Sequence, residues 1–158
     1  MAALLPSATR DFASVEYWDR FFDARGGAPF AWYVDPAHAA ALVAAVLRAA
    51  SGADPTTKKR AVLNLGCGTC TLPLELARRA DVALRCDRIA SIDASAIAVR
   101  ELAALAAAES AARGAAAPAL SFEVADALAL PEARGGAGDN AVVVDKGLLD
   151  ALHDDAGD

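Results

Sequence analysis

Three aspartates recur in the same kind of place. Asp93 closes the apolar run Ile89-Ala-Ser-Ile92, Asp126 follows Leu120-Ser-Phe-Glu-Val124, and Asp145 closes Ala141-Val-Val-Val144. Each carboxylate stands at or just past the end of a short β-rich segment. A further run, Val62-Leu-Asn-Leu65, breaks instead into Gly66-Cys67-Gly68 before a helical pattern begins. Glycines at such a turn take φ values other residues resist and let a ligand lie against the backbone. The helix that follows offers unpaired N–H groups and the positive end of its dipole. If the four runs are parallel strands, these groups converge, because ligands of open α/β sheets bind outside the carboxyl ends of the strands. Singly, each Asp also reads as a helix N-cap or turn residue. Their repetition after a glycine turn favours a shared site.

The chemistry of that site is recognition of a nucleoside. An Asp roughly 20 residues beyond a glycine turn accepts from both ribose hydroxyls, and Asp93 lies a little farther along than that. The turn is G-x-G without a third glycine, since Thr71 stands where a dinucleotide fingerprint wants Gly or Ala. This turns the reading away from NAD or FAD, and from an oxidoreductase, toward S-adenosylmethionine.

The segments VLNLGCGTCTLPLEL, ASIDAS, FEVADALALP and VVVDKGLLDAL resemble successive motifs of the class I S-adenosylmethionine-dependent methyltransferases. DKGLLDAL is similar to the D-K-G-T-L-D-A segment of a methyltransferase-like subfamily that includes lysine methyltransferases of eukaryotic translation elongation factor 1-alpha. EYWDRFF and PFAWY match that subfamily's N-terminal segments. The resemblance runs over about residues 15 to 152. It implies that Gly66 and the glycine turn through Gly68 meet the methionine part. It implies that Asp93 and Ala94 flank the ribose, that Asp126 with Ala127 holds the adenine, and that Asp145 and Lys146 lie under the transferred methyl. Trp18, Phe22 and Phe30 would close over the cofactor. Lys146 reads alternatively as a surface cation pairing with Asp150 at i,i+4.

Eight of the nine aromatic residues fall between Phe12 and Tyr33, with Phe122 the exception. Such a cluster packs a helix onto a sheet. It also suits a flat adenine and a cationic sulfonium, both of which favour aromatic walls. Cys67-x-x-Cys70 invites a redox or zinc reading, but zinc takes about four ligands and the chain adds only Cys86, His38 and His153. Cys67 fits the turn as a small residue. The two histidines read as locally hydrogen-bonded, and no Ser-His-Asp or Cys-His set is evident, so no catalytic side chain is named.

The 158 residues make one domain. The expected order is a helix over residues 14 to 24, a helix over Pro36 to Ala50, a loop over Ser51 to Thr57, strand Ala61–Leu65 and a helix over Thr71 to Ala80. Strand Arg88–Ile92, helix Ala94 to Arg113 closed by Gly114, and strand Leu120–Val124 follow. A glycine-rich loop over Glu132 to Asn140 leads to strand Ala141–Val144. Alternating helices and strands imply an α/β, Rossmann-like, doubly wound parallel sheet. Residues 1–57 form an aromatic helical lid segment and residues 58–158 the S-adenosylmethionine-binding half.

The net charge of −6 leaves no basic stripe for nucleic acid. Lys58-Lys59-Arg60 reads as a solvated strand start, and the acidic C-terminus as a solvated tail. No apolar stretch reaches the roughly 18 residues of a membrane span, and the N-terminus lacks a signal-peptide pattern, so the expected location is cytoplasmic. The resemblance departs at Asn64, where many methyltransferases carry an acid, and at Asp139-Asn140-Ala141, where an aromatic is lost. Relatives continue through three more strands. The chain therefore reads as a methyltransferase half, truncated after strand 4, acting on protein lysine and exposing strand 4 to self-association. The competing expectation is a non-catalytic S-adenosylmethionine-binding or interaction module.

Overall fold

The computed structural model describes residues 9–51, 59–110, 116–130 and 140–152. A 3-10 turn over Thr9–Ala13 leads into α1 (Val15–Arg25) and α2 (Pro36–Ser51). Ser14 caps α1 by accepting from the Tyr17 N–H at 3.2 Å, and Gly26 ends it with φ +58°. Then follow β1 (Arg60–Leu65), α3 (Leu72–Ala77), α4 (Ala80–Ala83), β2 (Cys86–Asp93), α5 (Ala96–Ala108), β3 (Ala119–Val124), β4 (Asn140–Asp145) and α6 (Leu148–Leu152).

All strand pairs are parallel and the order is β3-β2-β1-β4. From β1 the chain winds outward to β2 and β3, then returns past β1 to β4. The winding thus reverses at β1, which is the switch point where open α/β sheets bind ligands. Register neighbours Val62, Ile89, Leu120 and Val142 share one face. Against Val62, Ile89 and Val142 pack Val43 and Leu47 of α2, Leu72 and Leu76 of α3, and Val82 of α4. Leu102 and Ala106 of α5 meet Leu120 and Phe122 on the same face. The α/β, Rossmann-like architecture is the expected one.

The elements differ from expectation in instructive ways. The helix expected over Thr71 to Ala80 is two. Arg79 is extended (φ −87°, ψ 121°) and restarts the chain as α4. Its guanidinium grips Asp81 at 3.0 and 2.9 Å, while Arg48 of α2 holds the same carboxylate at 2.9 Å. Hydrogen bonding from Arg79 keeps the Asp81 carboxyl below its ordinary range. Helix α5 starts at Ala96 rather than Ala94, because Ser95 is its N-cap and accepts from the Ala98 N–H at 3.2 Å. The expected stop at Gly114, the loops over 52–57 and 132–139, Lys58, His153 and the acidic tail lie outside the described residues.

Candidate functional site

A cavity of about 220 Å³ runs along the carboxyl edge of the sheet. The turn after β1, the start of α5, the segment after β3 and the segment after β4 each contribute to its lining. Trp18, Phe22, Phe30, Gly66, Gly68, Asp93, Ala94, Asp126, Ala127 and Lys146 all line it. Asp145 does not. Its carboxylate accepts from the N–H groups of Gly147, Leu148 and Leu149 at 3.0, 3.0 and 3.1 Å. Asp145 thus acts as a turn residue leading from β4 into α6, one of the alternatives its position allowed.

Asp93 ties the site together. Oδ2 accepts from the Gly68 N–H at 2.7 Å and Oδ1 from the Ser95 N–H at 2.8 Å. The carboxylate thereby locks the glycine turn to the start of α5. Burial pushes its pKa above the ordinary aspartate value; the two N–H bonds oppose this, and nearby Asp19 adds to the rise. Ser95 Oγ donates to Asp19 at 2.5 Å and so fastens α1 to the same place. Asp126 is exposed at the other end of the cavity, where it accepts from the Leu128 N–H at 2.8 Å and caps the 3-10 turn Ala127–Ala129.

The glycines are required by the fold as well as suited to a ligand. Gly66 and Gly68 have φ of +56° and +50°. A Cβ on Gly66 would lie 2.8 Å from Leu148 Cβ, and one on Gly68 3.0 Å from Phe22 Cζ. Their bareness lets α6 and α1 close down on the turn.

The aromatic residues form one network. Trp18 stacks on Phe22 at 5.8 Å between centroids and donates through Nε1 to the Phe12 carbonyl at 2.6 Å. Phe30 lies under the Arg25 guanidinium, 4.6 Å from its ring. Two bonds tie this segment to the stretch after β4. Lys146 Nζ donates to the Trp32 carbonyl at 2.9 Å, and the Tyr33 hydroxyl donates to the Asp150 carboxylate. The i,i+4 pairing of Lys146 with Asp150 is therefore replaced by one bond from each residue to the aromatic segment. Tyr33 has φ +58°, an uncommon conformation for a bulky residue.

Sequence reasoning missed several lining residues. Phe12 and Trp32 reach the cavity only through the tertiary fold of their segment. Leu148 and Leu152 reach it because α6 folds back. Asn64, noted only as a departure from an acid, is buried, lines the cavity and has no partner for its Nδ2. Cys67 and Cys70 also line it, and burial raises both thiol pKa values. They belong to separate packing clusters, Cys67 beside Leu102 and Cys70 beside the α2 residues. Among the described residues no group of three or more His, Cys, Asp or Glu side chains is placed to hold a metal ion.

The donor set fits an adenosyl amino acid. One carboxylate ends β2 and another follows β3, a bare turn follows β1, a buried amide with no partner for its Nδ2 lies one residue before the end of β1, and aromatic rings form one wall. No protein-family model matches the chain, and no solved structure gives a significant match. Among curated proteins, it is 30% identical over 154 residues to the human "eEF1A lysine and N-terminal methyltransferase", with 96% of this chain and 18% of that protein aligned. The Danio rerio protein of the same name is 31% identical over 150 residues, with 95% and 18% aligned. The Drosophila pseudoobscura pseudoobscura homolog is 32% identical over 154 residues, with 97% and 19% aligned. The chain spans less than a fifth of the length of these relatives. Along nearly all of its own length, then, the chain is similar to a segment of the eEF1A lysine and N-terminal methyltransferases.

Proposed function

We propose that this chain binds S-adenosylmethionine along the carboxyl edge of its sheet and serves a protein-lysine methyltransferase whose acceptor is a translation factor of the elongation factor 1-alpha kind. One observation carries the reading: Asp93, Asp126, the Gly66–Gly68 turn and the aromatic wall, each singled out in the sequence, line one cavity at the switch point of the sheet. The similarity to curated methyltransferases supports it. Residues 1–57 act as an aromatic lid and residues 58–158 as the cofactor-binding half. No helix among the described residues is long and apolar enough to cross a membrane. That agrees with a cytoplasmic site of action.

The cofactor supplies an electrophilic methyl group on a sulfonium. The chain's own residues bind and orient. Asp93 accepts from the ribose hydroxyls and Asp126 from the adenine amine. Gly66 and Gly68 admit the backbone's close approach, and Trp18, Phe22 and Phe30 exclude water from the reacting end. In-line displacement gains chiefly from such positioning, so the reaction needs no nucleophilic side chain from the protein. Desolvation by the aromatic wall promotes the neutral form of an incoming lysine.

Calorimetric titration tests the binding step. S-adenosylmethionine should bind and NAD should not. Transfer of labelled methyl from the cofactor to elongation factor 1-alpha tests the activity, and its failure alongside tight binding would leave a cofactor-binding module without catalysis.

A further inference from the structure

Asp93 can hold a ribose only if its free lone pairs point into the cavity. A carboxylate offers about four acceptor sites. The Gly68 and Ser95 N–H groups each take one, on different oxygens, which leaves room for both hydroxyls of a ribose. The direction of the free sites is therefore set by where Gly68 and Ser95 hold the carboxylate. Gly68 belongs to the turn after β1. Ser95 is held from another part of the chain.

Ser95 is 1% exposed and its hydroxyl is committed on both sides. The oxygen accepts from the Ala98 N–H at 3.2 Å, and the proton goes to Asp19 Oδ1 at 2.5 Å. Asp19 stands on α1, 76 residues earlier in the chain, and does not itself line the cavity. Buried hydroxyl donors are nearly always paired, and one left without an acceptor turns or shifts to find another. Without Asp19, Ser95 is free to move, and with it the N–H that fixes Asp93 Oδ1.

We infer that Asp19 is a positioning residue for the ribose-binding carboxylate, acting through Ser95, so that α1 aligns the site as well as covering it. The inference rests on the S-adenosylmethionine reading and extends it to a residue outside the cavity. The arrangement also has an electrostatic side. Two carboxylates meet at one serine, and among the described residues no cation is ion-paired with either. The charge of Asp19 is one cause of the raised Asp93 pKa. The other ionisable groups around Asp93 are Cys67 of the glycine turn, which burial keeps a neutral thiol, and Cys70, Asp126 and Lys146 along the cavity lining.

Calorimetry with 5′-methylthioadenosine and its 2′,3′-dideoxy counterpart tests the inference, because the two differ only in the ribose hydroxyls. The wild type should bind the hydroxylated compound about tenfold or more tighter, the size of a hydrogen bond to a charged group. Asp19→Ala should cut that ratio to about threefold or less, while binding the dideoxy compound as the wild type does, which reports an intact cavity. Asp19→Asn keeps an acceptor for the Ser95 hydroxyl and removes the charge. It should restore the ratio at neutral pH and carry the acid-side loss of affinity to lower pH than in the wild type, a shift that a packing role would not produce. A full wild-type ratio in Asp19→Ala overturns the inference. An Asp19→Asn variant that loses the ratio, or whose affinity falls at the wild-type pH, overturns it too, and decides the matter if Asp19→Ala binds neither compound. Equal binding of the two compounds by the wild type removes Asp93 from the ribose and this inference with it, and binding of neither overturns the cofactor reading itself.

Discussion

Asp93 carries two duties whose pH responses run in opposite directions. In the function proposed above its ionised carboxylate accepts from the ligand's hydroxyls, so affinity for S-adenosylmethionine should fall on acidification. Because burial raises its pKa, the fall begins at a higher pH than an ordinary aspartate would give. Stability behaves otherwise. A raised folded-state pKa means that the native state holds the proton more tightly than the unfolded chain. The stabilisation is complete below the unfolded value and is lost as pH rises through the folded one. Asp93→Asn should flatten both profiles, read by calorimetry and by thermal melts across pH. Asp93→Ala also strands the Gly68 and Ser95 N–H groups, and should cost about 1.5–3 kcal/mol of binding; unchanged affinity would remove Asp93 from the site. Gly66 makes a second case. Valine there must hold φ +56° and displace Leu148, a backbone strain of about 1–3 kcal/mol before the clash is counted. Gly66→Val should therefore lower both the melting temperature and the affinity. Adding Leu148→Gly, which removes the Cβ in closest contact as well as the rest of the side chain, should recover part of the stability and none of the binding, which separates room for the fold from room for the ligand. Asp93 and the glycines were legible because end-of-strand position is written in the local pattern. Asn64, Phe12 and Trp32 were not, since an orphaned donor or a wall residue exists only once distant segments meet.

Between residues 12 and 33, helix and loop act as a single aromatic cover. It is pinned at one end by Ser95–Asp19 and at the other by Lys146–Trp32 and Tyr33–Asp150. Trp18 is central, stacked on Phe22 and bonded to the Phe12 carbonyl. Trp18→Ala should weaken cofactor binding, and bound cofactor should slow hydrogen exchange over residues 14 to 33; identical exchange with and without cofactor would leave the segment a packing element alone. Tyr33→Phe removes only the phenolic bond, so exchange should quicken in α6 while the strands stay protected. The strands were legible from runs of β-branched and apolar residues that end at a carboxylate or glycine. The break between α3 and α4 was not, because Leu72 to Ala80 has a continuous helical pattern. The interruption is made by Arg79 and Asp81 together with Arg48 from another helix. Helix α6 and the 3-10 turn Thr9–Ala13 are too short to show a period, and their existence depends on the turn held by Asp145 and on packing against the cover.

At the scale of the molecule, β1 lies inside the sheet while β3 and β4 form its edges. The two edges differ. On β3 the positions Ala119, Ser121 and Glu123 point polar or small side chains to solvent. On β4, Val142 is buried beneath α2, but Val143 points to the opposite face and is 57% exposed. No strand among the described residues pairs with the outer edge of β4. An apolar edge strand with unpaired N–H and C=O groups is a template for another chain, and no charge interrupts Val142 to Val144 before Asp145, whose carboxylate is engaged by the N–H groups of residues 147 to 149. A second copy offers the same edge, so two β4 strands can pair side by side and bury Val143 from both. The 158-residue chain should therefore associate with increasing concentration in sedimentation equilibrium. Val143→Lys, which leaves the buried face and the cavity lining untouched, should shift it toward monomer without changing cofactor affinity. A wild-type chain that stays monomeric across the concentration range would show that this edge is covered, and would end the pairing argument.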